Sequence, residues 1–274
     1  MNLIYKLKKS EFQTAGNLMA GVKNFPEAHA VINRINPGEV YVDNNKNPKS
    51  ALVWNQGMQG FYFIGEVNNE KFKRNINEYV NDTLLNELLH KGINWFEISG
   101  ISDTWHEIIE EIFADRNIQY EHQLVYKMSD KPEDLLKGAR GGDYNIQKMD
   151  REVLQSNITN LEYITKELEL FWGTLENFFS NGTCYFAVED NKVVSICYSG
   201  FRANNTETIG IETLSDYRKK GYAYELGNKF IEDCNERGVM PYWDCSKDNI
   251  GSRRLAEKLG FEKTDEYRCY WFNF

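Results

Sequence analysis

No apolar run in the 274-residue chain approaches the length of about 18 residues that a membrane-spanning helix needs. The first six residues also lack the apolar segment and the small-residue cleavage site of a secretory signal peptide. The sequence therefore predicts a cytoplasmic protein with no membrane partner.

Cysteine is sparse and forms no metal-binding or redox pattern. The five cysteines are odd in number, include no Cys-x-x-Cys pair and lie in apolar stretches: Cys184, Cys197, Cys234, Cys245 and Cys269. This spacing matches neither the usual zinc motifs nor a disulfide framework. We expect reduced core residues and no metal.

Positive charge is in deficit, with a formal net charge of -9. This balance argues against nucleic acid as the main partner and mildly favours cationic substrates. The alternative interpretation, that the acidity only keeps the protein dissolved, stays open. Hydrophobic residues make up 41% of the chain and aromatic residues 14%, which is enough to build a packed core.

Histidine is absent from the second half of the chain. The four histidines are His29, His90, His106 and His122, and none has a second ligand or a nucleophile at a useful spacing. We expect them at the surface or in the core. Because no imidazole accompanies Cys245, a covalent mechanism with this cysteine as nucleophile is disfavoured.

The two common glycine motifs for phosphate are missing, since no Gly-x-Gly-x-x-Gly follows a strand and no Gly-x-x-x-x-Gly-Lys-Ser/Thr occurs. The chain has instead an apolar strand at residues 208–214, a basic turn and a helix. Gly221 and Ala223 keep bulky side chains away from the first helical amides, which lack internal partners and carry the positive end of the helix dipole. The pattern predicts a diphosphate site.

The turn Arg218-x-x-Gly221-x-Ala223 resembles the acyl-CoA signature of the GNAT superfamily of N-acetyltransferases. Asn249, followed by the helical segment 255–261, is similar to the last signature of that family. Together with a helix that ends in Glu-Arg-Gly and a following Trp-Asp-Cys, the turn is closest to the zwittermicin-A-resistance type of acetyltransferase.

The resemblance implies a GNAT fold, an α/β (α+β) architecture in which helices flank a mixed, mostly antiparallel sheet. It also implies acetyl-CoA as cosubstrate and a small-molecule amine as acceptor, although protein lysines or N-termini stay open. The implied cofactor-binding residues are Thr213, Leu214, Ser215, Arg218, Lys219, Lys220, Gly221, Tyr222, Ala223, Asn249 and Ser252. Arg253 and Arg254 fit either the 3′-phosphate of CoA or a solvated surface.

A stretch rich in proline, glycine and charge at residues 131–142 reads as a linker between an N-terminal domain, 1–130, and a C-terminal GNAT domain, 143–274. Both halves repeat the order helix, basic-Gly stop, strand with tryptophan, helix, strand. This echo favours a tandem of related domains, against the alternative of chance.

The first half lacks the glycine turn and carries Glu66 and Glu70 in its place. We expect it to be degenerate and without cofactor, serving as a wall of the substrate cleft or as a homodimer contact.

Two glutamates of the central strand are the candidate bases for deprotonating the amine, namely Glu207 and Glu212. Alternation places them on opposite faces of the sheet. The alternative is that either is an ordinary strand-edge charge. The family's oxyanion donor, a main-chain amide beside a splayed strand, falls at Thr213 or Leu214.

One position departs from the family pattern. Ala256 stands where many GNAT enzymes have a tyrosine that protonates the departing thiolate. Water, Ser252, Cys245 or Tyr222 are the remaining candidates. The same departure motivates a second hypothesis, an acyl-CoA-binding regulatory or scaffold protein with lapsed catalysis. Five aromatic residues upstream fit either an acceptor site or the core: Tyr163, Phe171, Trp172, Phe178 and Phe179.

Overall fold

The computed structural model describes residues 4–128 and 145–274. The helices are α1 Pro26–Ile32, α2 Glu70–Tyr79, α3 Leu85–His90, α4 Thr104–Ile112, α5 Leu161–Trp172, α6 Leu175–Asn181, α7 Tyr222–Glu236 and α8 Ile250–Lys258. The strands are β1 Tyr5–Lys6, β2 Gly38–Val42, β3 Ser50–Asn55, β4 Phe61–Gly65, β5 Trp95–Gly100, β6 Gln119–Met128, β7 Asn145–Lys148, β8 Cys184–Glu189, β9 Lys192–Ala203, β10 Thr206–Thr213, β11 Met240–Ser246 and β12 Phe261–Asn273.

The chain divides into two compact units. The first comprises Met1–Gln123 and Glu266–Phe274, and the second comprises Leu124–Asp265. The last strand, β12, therefore begins in the second unit and ends in the first. The predicted linker at 131–142 lies outside the described residues, and the predicted domain limits of 130 and 143 stay a prediction.

In the first unit, β1 to β4 form an antiparallel run, and β4 pairs in parallel with β5. The C-terminal part of β12 pairs antiparallel with β5, from Cys269 opposite Ser99 to Asn273 opposite Trp95. Phe63 and Phe96 of these strands pack in one buried cluster with Phe72 of α2 and Trp105 of α4. A second cluster lies under α1 and the 3-10 helix Lys9–Met19.

In the second unit, β7, β8, β9 and β10 are successive antiparallel neighbours, and β11 adds in parallel to β10. The β8–β9 hairpin turns at Asp190 and Asn191, which both adopt positive φ, as a two-residue hairpin turn of type I′ requires. Helix α7 packs on one face of this sheet through Tyr222, Leu226 and Phe230. Helix α5 covers β9 from the other face.

Along the chain, four antiparallel strands are followed by helix, strand, helix and strand, first from β1 to β6 and again from β7 to β12. The predicted α/β fold, a mixed and mostly antiparallel sheet flanked by helices, is confirmed. In the first unit, α2 and α3 are joined by a π turn at Val80–Leu84, so the helical stretch runs from Glu70 to His90.

Candidate active site

The parallel strands β10 and β11 pair over three positions and then part. Thr206 pairs with Met240, Glu207 with Pro241 and Thr208 with Tyr242. Beyond this point β10 stays paired with β9 as far as Thr213, whereas β11 runs on to Ser246 without a partner on β10. The backbone of β10 from Ile209 onward therefore borders a gap in the sheet.

The polar groups of β10 alternate between β9 and this gap. The N–H of Leu214 donates to the carbonyl of Val194 at 3.0 Å. Because antiparallel pairs alternate between hydrogen-bonded and non-hydrogen-bonded types, the N–H of Thr213 and that of Ile211 point away from β9. Of the two predicted oxyanion donors, Thr213 is the one whose amide faces the gap.

The basic turn after β10 bends sharply before α7. Lys219 and Gly221 have φ of 61° and 99°. Alternation between left-handed and other backbone conformations turns successive N–H groups toward one concavity, which suits an anion. Gly221 is the N-cap of the 15-residue helix α7 and contributes no side-chain cap. Arg218, Lys219, Lys220 and Gly221 are exposed.

Two side chains of the turn are held by one acid from β8. Lys220 Nζ donates to Glu189 Oε1 at 3.0 Å, and the Tyr222 hydroxyl donates to Glu189 Oε2. These hydrogen bonds, the one from Tyr222 first, lower the pKa of Glu189. Arg218 Nε donates to the carbonyl of Thr213 at 3.2 Å, which ties the turn to the end of β10.

The start of α8 supplies the other predicted cofactor contacts. Asn249 Oδ1 accepts from the N–H of Ser252 at 3.1 Å, and Trp243 Nε1 donates to Ser252 Oγ at 3.0 Å. Arg253 Nη1 donates to the carbonyl of Lys247 at 3.0 Å. Ala256 is fully buried in a core cluster with Trp243.

Glu207 lies on the α7 face of β10, where it is fully buried and paired. Arg237, at the end of α7, donates from Nη1 and Nη2 to its two carboxylate oxygens at 2.7 and 3.0 Å. Arg202 Nε lies 3.6 Å from Oε1. Arg237 also donates to Asp233.

Glu212 lies on the opposite, α5 face of β10 and is exposed. Its Oε2 accepts from the Tyr163 hydroxyl at 2.7 Å. The prediction that the two glutamates face opposite sides of the sheet therefore agrees with their contacts. Only Glu212 borders the gap, since Glu207 lies in the part of β10 that still pairs with β11.

Beside Glu212 the structure places two residues that sequence reasoning missed. Tyr198, on β9, donates to Glu167 Oε2 on α5 at 3.1 Å. Burial, and secondly the negative charge of Glu212, raise the pKa of Glu167. The i, i+4 spacing of Tyr163 and Glu167 on a helix was the available signal, because it puts both side chains on one face.

The predicted aromatic residues divide between core and cleft. Trp172 and Phe178 are buried, and Trp172 Nε1 donates to the carbonyl of Ser199 at 2.8 Å. Phe171 is partly exposed and meets the ring of Tyr198 edge-on, with centroids 5.5 Å apart. Phe179 packs on Phe178 and lies under the guanidinium of Arg151.

The five cysteines are free, four of them buried and Cys245 half-buried. Burial raises the pKa of the Cys245 thiol, which disfavours a thiolate nucleophile. Over residues 4–128 and 145–274, no group of three potential metal ligands occurs. No helix in this described part is long and apolar enough to cross a membrane.

A family model described as GNAT acetyltransferase matches residues 17–270, which is nearly the whole chain. The chain belongs to the GNAT acetyltransferase family. It is an acyltransferase enzyme by this membership.

One relative is the uncharacterized N-acetyltransferase YdfB of Bacillus subtilis, 29% identical over 278 residues and covering 99% of both chains. Among solved structures, a GCN5-related N-acetyltransferase-like protein from Streptococcus suis aligns with a TM-score of 0.67 and 21% identity, over 96% of this chain and 99% of that one. A tandem GNAT protein from the clavulanic acid biosynthesis pathway aligns with a TM-score of 0.61 and 12% identity, over 98% of each. At this low sequence identity, these two structural similarities show a shared fold and nothing further.

Proposed function

We propose that the protein transfers an acetyl group from acetyl-CoA to an amine of a small molecule, by direct attack in a ternary complex. The observation that carries this proposal is the uncapped start of α7 beside the gap between β10 and β11. The helix start suits the diphosphate of CoA, and the gap gives the thioester access to the Thr213 amide.

The cofactor contacts follow the order of the turn. Backbone amides of residues 219–223 hold the diphosphate, with charge from Arg218, Lys219 and Lys220. Ser215 and the backbone at Thr213 and Leu214 line the path of the pantetheine arm, and Asn249 and Ser252 meet it from α8. Asn249 has its amide nitrogen left to donate after its oxygen caps α8.

Of the two predicted catalytic glutamates, Glu212 is favoured for the acceptor site and Glu207 for a structural role. Glu212 borders the gap and its described partner is a neutral tyrosine, so its charge is free to attract an ammonium. Glu207 already holds a bidentate arginine and has no exposed surface. A base in that setting would have to leave its ion pair before taking a proton.

The first unit contrasts with the second at the corresponding corner. There the N-cap of α2 is Asn69, whose side chain accepts from the N–H of Phe72 at 3.1 Å and donates to Asp43 at 2.8 Å. Glu66 and Glu70 flank this corner. A helix start that is capped by its own side chain and surrounded by acids is unsuited to a diphosphate. This contrast supports one cofactor site per chain.

The proposal is tested by following free thiol release from acetyl-CoA with a panel of primary amines. Turnover by the wild type, with acetylated amine recovered in equal amount to CoA, supports it. The proposal is contradicted if the protein binds acetyl-CoA but acetylates no amine. Binding would be seen as a gain of about 2.7 kcal/mol in the free energy of unfolding when the acetyl-CoA concentration is a hundredfold its dissociation constant.

That second outcome would favour the alternative function, an acyl-CoA-binding regulatory or scaffold protein. The observation behind the alternative is Ala256, which is fully buried and carries no proton donor for the thiolate. A panel that includes peptide N-termini and lysine peptides separates small-molecule acceptors from protein acceptors.

Three finer points complete the proposal. The pattern of the turn and of Trp243-Asp244-Cys245 favours the zwittermicin-A-resistance type. The five free cysteines favour a reducing, cytoplasmic location. The net charge of -9 favours a cationic small molecule over nucleic acid as partner, and a homodimer is to be checked by its mass in solution.

A further inference from the structure

The carboxylate of Glu167 is half-buried and has no positive partner among the described residues. Its hydrogen bond is the one from Tyr198, and the other charge that acts on it is that of Glu212. A carboxylate in this setting costs stability, because burial disfavours its charge and a like charge adds to the penalty.

Three other half-buried or buried acids of the second unit are each matched with a cation. Glu207 has Arg237 and Arg202, Asp233 has Lys148 and Arg237, and Glu189 has Lys220. For Glu167 and Glu212 the described contacts are instead with the hydroxyls of Tyr198 and Tyr163, and both carboxylates lie on the α5 side of β9 and β10. Unneutralised acids with perturbed proton affinity cluster at functional sites.

The packing holds Glu167 in place through Tyr198. The Tyr198 ring is buried and lies over Gly210, where an added Cβ would come within 2.7 Å of the ring carbon that bears the hydroxyl. Phe171 also contacts the Tyr198 ring, edge-on. Gly210 lies on the stretch of β10 that borders the gap, so the hydrogen-bonded pair of Tyr198 and Glu167 lies beside that stretch.

We propose that Glu167 is the residue that takes the proton from the acceptor ammonium, that Tyr198 positions it, and that Glu212 holds the ammonium beside it. This assignment rests on the proposed function, since it presumes an amine acceptor at the gap.

The step balances as follows. The ammonium loses one proton to Glu167, which later passes it to solvent. The freed nitrogen pair forms the C–N bond to the thioester carbon, and the C=O electron pair moves to oxygen beside the Thr213 amide. When the oxyanion collapses the C–S bond breaks, and the second nitrogen proton ends on the sulfur as CoA thiol.

The charged and titratable groups around Glu167 set the expected pH dependence. Glu212 from β10 raises its pKa and Tyr198 from β9 lowers it, while burial raises it most. Tyr163, one turn earlier on α5, is tied to Glu212, and Arg218 acts on that tyrosine. A base must be deprotonated, so the rate of the wild type rises with pH through the raised pKa of Glu167.

The test compares Glu167→Gln, Tyr198→Phe and Glu212→Gln, with Glu169→Gln as the matched control. Glu169 is an exposed glutamate two residues along the same helix. Each variant is assayed for amine-dependent thiol release from pH 5 to 9, using the best amine of the panel for the wild type. Calorimetric titration with CoA reports whether each variant is folded and keeps its cosubstrate site.

We expect Glu167→Gln to lower kcat about a hundredfold and to remove the acidic limb of the pH profile. Tyr198→Phe should move that limb to higher pH, because it removes a hydrogen bond to the carboxylate. Glu212→Gln should move it to lower pH and raise KM for the amine. Glu169→Gln should match the wild type.

Opposite shifts of the acidic limb of the pH profile in Tyr198→Phe and Glu212→Gln support the assignment of Glu167. A purely structural role of these two residues would not produce such shifts. If Glu167→Gln binds CoA and keeps the limb with a kcat within threefold of the wild type, the assignment is wrong while the acetyltransferase function stands. If the wild type turns over no amine, the proposed function fails first.

Discussion

Replacing Arg237 by methionine would leave the carboxylate of Glu207 buried without its main partner. The Glu207 side chain is fully buried, whereas that of Arg237 is 30% exposed. Breaking a buried ion pair from one side costs about 3–5 kcal/mol. Because Arg202 stays 3.6 Å from Glu207 and Arg237 is partly solvated, we expect a cost at or just below the lower end of this range, about 2–3 kcal/mol.

Urea denaturation and thermal denaturation, both followed by circular dichroism, measure this loss. For a unit of this size, 1 kcal/mol corresponds to about 2–4 °C in melting temperature, so a fall of roughly 5–10 °C is expected. The double variant Glu207→Leu with Arg237→Met should recover part of the loss, since a buried pair replaced by apolar residues is often neutral. Glu236→Gln, on the exposed face of α7, is the control.

A substitution of Glu207 itself tests whether this glutamate is structural or catalytic. If Glu207 is structural, Glu207→Gln assayed well below its melting temperature keeps kcat within a few-fold of the wild type. A hundredfold loss of kcat in a folded variant that binds CoA normally would refute this reasoning and restore Glu207 as the base.

Three further substitutions test the turn and the gap. Gly221→Ala should weaken CoA binding about tenfold or more in calorimetry, because it adds a methyl group at the anion site and strains a φ of 99°. Gly238→Ala is the control, since Gly238 also has a positive φ, of 65°, and has open space around it. This variant should lose about 1 kcal/mol of stability and keep the CoA affinity of the wild type. Gly210→Ala should displace the Tyr198 ring and cost about 1–3 kcal/mol in urea denaturation; an unchanged midpoint would contradict the packing described. Glu189→Gln should strengthen CoA binding a few-fold at low salt, because it releases Lys220 from its ion pair. Since hydrogen bonds lower the pKa of Glu189, the CoA affinity of the wild type should approach that of the variant only as the pH falls through that lowered pKa. A weaker affinity of the variant at pH 7 would show that Glu189 orients Lys220 for binding.

Local features of the chain were predictable from the sequence. The start of α7 was predictable because an apolar strand, a basic turn and Gly221 follow one another directly in the sequence, and this order needs no long-range contact to be recognised. The opposite faces of Glu207 and Glu212 follow from strand alternation, which needs no tertiary information.

Partners distant in sequence were not predictable. Arg237 lies 30 residues after Glu207, and its bidentate contact depends on where α7 ends over the sheet. Glu167 and Tyr198 are 31 residues apart, and only the packing of α5 on β9 brings them together. The exit of β12 into the first unit depends likewise on long-range pairing with β5, which hydrophobic pattern alone does not specify.

Calorimetric titration of the full chain with coenzyme A tests the central claim most directly. The account predicts saturable binding with one CoA per chain, reduced by Gly221→Ala and unaffected by Gly238→Ala. Absence of binding heat at several temperatures, or two equivalent sites per chain, would contradict it.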